Sequence, residues 1–124
     1  MNTKLENAPA PYRWVVERGL VGFDPFTALQ PWYFLRDPDV FNATDKWPAG
    51  QSKAALLAFA RRQDCDDIAC FELGTSETDA VTMIQGWTSQ GNSYEIVARY
   101  PTFWDWMKSV IDDISEWSAH PDKL

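Results

Sequence analysis

Between Tyr94 and Trp117 the chain changes its apolar period from two to nearly four. Tyr94, Ile96 and Ala98 alternate with Glu95, Val97 and Arg99, the pattern of a half-buried strand whose successive side chains point to opposite faces. After Pro101, the residues Phe103, Trp106, Met107, Val110, Ile114 and Trp117 form one continuous apolar stripe at helical spacing. Thr102 is placed to cap that helix, and Asp105 three residues on makes a weak capping box. Asp105, Asp112 and Glu116 fall opposite the stripe, so the helix is expected to pack on a sheet and turn an acidic ridge to water. Asp112 and Glu116 are like charges one turn apart, a cost of about a few tenths of a kcal/mol in isolation. A covering cation would remove it.

Upstream the period is two over a long span. Leu57, Phe59 and Arg61 alternate with Ala58, Ala60 and Arg62. Asp64 to Asp67 is turn chemistry, after which Ala69, Phe71 and Leu73 alternate with Ile68, Cys70 and Glu72. Gly74 to Asp79 makes a second turn. Ala80 to Thr88 is rich in strand formers, with Val81, Met83 and Trp87 on one side and Thr82 and Ile84 on the other. Ser89 to Ser93 is a third turn, so these strands are expected to form an antiparallel meander. Nearer the N-terminus, Pro25, Pro31, Pro38 and Pro48 forbid long regular elements. A short strand at Trp32 to Leu35, one helical turn around Val40 to Thr44 and a loop at Trp47 to Gly50 are expected there. Met1 to Pro9 reads as a loose leader. Pro11 opens a short helix with Tyr12, Val15 and Val16 on one face and Gly19 as its stop. The fold expected is α+β: one domain over residues 1–124, its ordered part over 10–120, with an antiparallel sheet of about four to six strands packed by a C-terminal helix and a short N-terminal helix.

A chain of 124 residues, 45% of them hydrophobic, is long enough for one core without staples. Seven Trp, seven Phe and four Tyr should dominate that core, because each aromatic buries on the order of 150–250 Å². The net charge of −7 argues against a nucleic-acid partner, whose phosphates draw affinity from clustered Lys and Arg. The charge is also uneven. From Asp64 to Glu116 eleven acidic residues face only Arg99 and Lys108, whereas the residues before Asp64 carry eight bases and six acids. An acidic half can steer a cationic partner, although acids also serve solubility alone.

Cys65 and Cys70 have neither a metal-ligand nor a redox spacing and read as free thiols in a reducing cytoplasm. The first residues contain no apolar signal core, and no stretch approaches a membrane span. Asp64, Asp66 and Asp67 lack the central Gly and distal Glu of a calcium loop, so no metal is expected. His120 is the sole histidine, too few for a His-assisted nucleophile or a multi-His metal site. Neither a catalytic residue nor a cofactor is expected.

The run Leu56 to Phe71 (Leu-Leu-Ala-Phe-Ala-Arg-Arg-Gln-Asp-Cys-Asp-Asp-Ile-Ala-Cys-Phe), the strand ending Gly86-Trp87-Thr88, and Tyr100-Pro101-Thr102-Phe103-Trp104-Asp105-Trp106 together resemble the SUKH superfamily. The similar features are a strand with a Phe-Ala step, an acidic turn, a strand returning to an aromatic, and a Thr-Phe cap opening the last helix. They cover Leu56 to about Trp117. The family's N-terminal Leu-Pro helix and Asn-Gly turn are replaced by the looser Tyr12 to Gly19. The resemblance implies a cytoplasmic immunity protein that binds and neutralises a cognate bacterial toxin, often a nuclease, and it carries over no catalytic residues. Charge asymmetry and helix phase make Asp105, Asp112 and Glu116, with Asp64, Asp66 and Asp67, the candidate contacts for a basic toxin. Trp104, at the edge of the apolar stripe, is the candidate aromatic anchor. A small regulatory or scaffold module is the alternative, and a homodimer through a wet sheet face is compatible with either.

Overall fold

A computed structural model describes residues 8–23, 30–47, 55–73, 79–85 and 94–119. Helix α1 (Ala10–Glu17) comes first. Strand β1 (Trp32–Phe34), a 3-10 turn at Asp37–Asp39, strand β2 (Phe41–Asn42) and the one-turn helix α2 (Ala43–Lys46) follow. Strands β3 (Ala55–Arg62), β4 (Asp67–Leu73), β5 (Val81–Gln85) and β6 (Glu95–Tyr100) lead into helix α3 (Phe103–Ser118). All pairings are antiparallel in the order β1-β3-β4-β5-β6, and β2 follows β1 along the same edge of β3. The α+β fold expected from the sequence, a six-stranded antiparallel sheet with a C-terminal and a short N-terminal helix, is the fold observed.

Local chemistry sets the element ends. Pro11 sits in the first turn of α1, and Gly19, at φ 67°, ends it. The Gly19 N–H donates to the Val16 carbonyl and the Leu20 N–H to the Val15 carbonyl, both at 3.0 Å, the paired bonds of a Schellman motif. The stop expected at Gly19 is therefore correct. Ala8 and Pro9, expected from the sequence to lie in a loose leader, are buried, and Ala8 belongs to the core. Pro38 confines the segment after β1 to a single 3-10 turn, so β1 and β2 share the edge of β3 as two short pieces. The helical turn expected at Val40 to Thr44 begins later, at Ala43, because Phe41 and Asn42 pair with Ala58 and Leu57.

Both faces of the sheet are covered, so β3 and β5 are buried almost continuously instead of alternately. One face carries Trp32, Phe34, Phe59, Phe71, Val81 and Met83 beneath α1 and α3. Tyr12 from α1 lies at its centre, stacked on Phe34 and edge-on to Phe59, Phe71 and Phe103. α3 contributes Phe103, Trp106 and Val110, each fully buried and each worth about 1.5–3 kcal/mol of apolar transfer. The other face packs Leu57, Ile68, Cys70 and Ile84 against Val40, Trp47 and Tyr94.

Two bulges overturn part of the face assignment. The β3–β4 register shifts between Ala58 and Ala60, leaving Phe59 as the extra residue, and Leu57 and Phe59 consequently lie on opposite faces. The β5–β6 register shifts likewise: Met83 pairs with Ala98 but Ile84 with Ile96, so Val97 is extra. Tyr94 accordingly reaches one core and Ala98 the other. Val81 and Met83 lie on one side and Ile84 on the other, as expected. The leader at 1–7, the loop at 48–50, most of the second turn, Trp87 and Thr88, the third turn and His120 lie outside the described residues.

Candidate functional site

α3 is the element on which most of the candidate residues meet. Thr102 is extended, at φ −134° and ψ 159°, and its hydroxyl oxygen accepts the Asp105 N–H at 3.1 Å, the cap expected from the sequence. Asp105 itself is half-buried in the first turn, where its charge also complements the helix dipole. Asp112 and Glu116 are exposed. With Lys108, also exposed, they make a ridge of three carboxylates and one ammonium.

Trp104 is 44% exposed beside this ridge. Its indole meets that of Trp14 edge to face at 6.0 Å, and the Arg18 guanidinium lies 4.0 Å over the Trp14 ring. Trp14 is 42% exposed, and Ile111, two turns along α3 from Trp104, is 55% exposed. The result is an apolar patch on α1 and α3, bordered by Asp105 and Asp112. Trp14 was not among the residues singled out from the sequence. Its signal was its place off the α1 face formed by Tyr12, Val15 and Val16.

The acidic turn divides. Asp64 is held by Arg62, whose Nε and Nη2 donate to its two carboxylate oxygens at 2.8 Å each. Asp66 is exposed. Asp67 accepts a 2.6 Å bond from the Gln85 amide on β5, so its carboxylate serves the sheet.

Arg62 also joins the turn to α3, its Nη1 lying 3.5 Å from Asp113 Oδ2. Burial works against the Arg62 charge, but the bond to Asp64 and the carboxylates of Asp64 and Asp113 outweigh it and raise its pKa. Arg62, Asp64, Asp113, Glu116 and Trp117 line a cavity of about 30 Å³. The structure thus brings Asp64 and Glu116 together while Asp105 stands near the other end of the helix. Asp113 was missed from sequence, although an acid in the apolar stripe, seven residues after Trp106, asks for a buried donor. It has one: Trp32 Nε1 donates to Asp113 Oδ2 at 2.9 Å.

A second polar cluster ties three strands. Arg99 on β6 donates to Glu72 on β4 at 2.7 and 3.1 Å, and the buried Thr82 hydroxyl on β5 donates to the same carboxylate. The Arg99 bond, joined by that from Thr82, outweighs desolvation and holds Glu72 below its ordinary pKa. Cys65 and Cys70 are both free, and burial raises the thiol pKa of each. Among the described residues no three His, Cys, Asp or Glu side chains converge to hold a metal. No helix among them is long and apolar enough to cross a membrane.

Compared with protein-family models, curated proteins and solved structures, the chain has no match.

Proposed function

We propose that the protein is a non-catalytic immunity protein of the SUKH type, which binds a cognate basic toxin in the cytoplasm through α3 and occludes its active site or substrate groove. The observation that carries this reading is the exposed Trp14–Trp104 pair bordered by the carboxylates of Asp105 and Asp112. Interfaces draw most of their energy from a few aromatic anchors, and flanking charges set the encounter rate and choice of partner. Exposed carboxylates on a chain of net charge −7 suit a surface that otherwise binds phosphates, as a nuclease surface does.

Asp64 and Glu116 extend the acidic surface round the Arg62 junction, and Asp66 adds an exposed charge at the turn. Asp67 contributes least, its oxygen being taken by Gln85. Ordinary scaffold binding would use the same surface without the demand for a toxin.

The test is recovery of a toxin domain by the tagged protein at low and high salt, followed by assay of the recovered domain's activity with and without added protein. A basic domain that is recovered salt-sensitively and inhibited stoichiometrically is the expected result. Reversing Asp105, Asp112 and Glu116 to Lys should abolish recovery. Unchanged binding by the reversed protein would remove the ridge from the interface, and recovery of ordinary cellular proteins without inhibition would replace immunity with a scaffold role.

A further inference from the structure

On α3 an apolar residue is followed directly by an acid twice, at Trp104-Asp105 and at Ile111-Asp112. The second pair lies seven residues after the first, close to two helical turns or about 10.5 Å, so both lie along one side of the helix. Trp104 is 44% and Ile111 55% exposed; Asp112 is exposed and Asp105 half-buried. Lys108 lies between the pairs, and Glu116 follows Asp112 by one turn. Among the described residues none of these four charged side chains makes an ion pair. The carboxylates that hold cations are others: Asp64 and Asp113 meet Arg62, and Glu72 meets Arg99.

One guanidinium already rests on this surface. Arg18, at the C-cap of α1, stands 4.0 Å over the Trp14 ring, and among the described residues no carboxylate pairs with it. Trp104 meets Trp14 edge to face at 6.0 Å, yet no described cation lies over its own ring. Beside that ring stands a carboxylate without a counter-ion, that of Asp105.

We propose that the partner lays an arginine-rich segment along α3, one guanidinium stacking on Trp104 and pairing with Asp105 and a second pairing with Asp112. This rests on α3 being the binding surface. The planar, weakly hydrated guanidinium stacks on an indole while its edge donates two parallel bonds to a carboxylate. An ammonium is a compact, strongly hydrated point charge and does not combine the two contacts in that way. A second copy of the chain fits poorly, because a two-fold contact sets the acids of one α3 against those of the other.

Calorimetric titration of the full chain with octa-arginine and octa-lysine at low ionic strength tests it, since the two peptides carry equal charge and differ in the cation. Octa-arginine should bind more tightly by about fivefold or more. Trp104→Ala, checked for folding by its urea midpoint, should bring octa-arginine down to the affinity of octa-lysine and affect octa-lysine less. The double variant Asp105→Asn and Asp112→Asn should weaken both peptides by about threefold or more. Equal affinity of the two peptides for the parent, or an arginine preference that survives Trp104→Ala, overturns the proposal. If the aspartate variant still weakens both peptides in that case, α3 remains a cation-binding surface and the toxin reading is untouched. Peptide binding that neither variant alters overturns the proposal and moves the surface away from α3. A parent chain that sediments as a dimer where Trp104→Ala sediments as a monomer would place a second copy on the exposed pair, and overturns it too.

Discussion

Trp32 and Asp113, 81 residues apart, are joined by a 2.9 Å hydrogen bond from the indole N–H to the carboxylate, tying the first strand to the last helix. Trp32 is fully buried, so its N–H has exchanged water for that single acceptor. Its ring also meets Trp106 edge-on at 5.3 Å.

Asp113→Ala should therefore destabilise the fold by about 1–3 kcal/mol, the cost of leaving a buried donor without an acceptor. Asp113→Asn keeps an oxygen in place and should cost less. Urea midpoints check the order, with unchanged slopes showing that stability alone has moved. Equal, negligible losses in both variants would mean that the bond contributes nothing.

Glu72 gives an acid-dependent contribution. Its folded pKa lies below that of the unfolded chain, so its stabilisation is fully present above about pH 4.3, the unfolded value, and is lost as pH falls through the folded one. Glu72→Gln cannot titrate. The stability difference between parent and variant should be greatest near neutrality and shrink below about pH 4. Denaturant titrations at neutral and acid pH measure it, and a pH-independent difference contradicts the assignment.

Tyr12 acts at the other end of the scale. Burial, assisted by the charge of Asp37, pushes its phenol up to about 12, against about 10 in an unfolded chain. A raised folded pKa means that the contribution is intact below about pH 10 and lost as pH rises towards the folded value, because the unfolded chain ionises first. Tyr12→Phe should lose less stability than the parent between about pH 9 and about pH 11, measured by urea unfolding at each pH.

α3 was legible in the sequence because its apolar residues recur at helical spacing from Phe103 to Trp117 and its cap lies at Thr102, two signals that agree. The meander was legible from turn chemistry at Asp64 to Asp67 and from the strand formers. Face assignment failed where a bulge intervened: Phe59 and Val97 each add one residue to a strand, and an alternating pattern has no mark for an added residue. Exposure of Asp112 and Glu116 followed from helix phase, but the roles of Asp64 and Asp67 depended on Arg62 and Gln85, partners only the folded register supplies.

Trp104 and Trp106, two residues apart on α3, should separate binding from folding. Trp106 is fully buried among Trp32, Phe59 and Phe103, so Trp106→Ala opens a cavity in the aromatic core and should cost about 3–5 kcal/mol. Trp104 is 44% exposed, and its replacement by Ala forfeits its edge contacts with Trp14 and Phe103, about 0.5–1.5 kcal/mol each. If the exposed pair anchors a partner, Trp104→Ala should weaken that complex by about tenfold or more while leaving the fold intact. Urea midpoints and partner titration on the same preparations measure the two effects. A Trp104→Ala protein that folds and binds as the parent does would move the anchor away from α3.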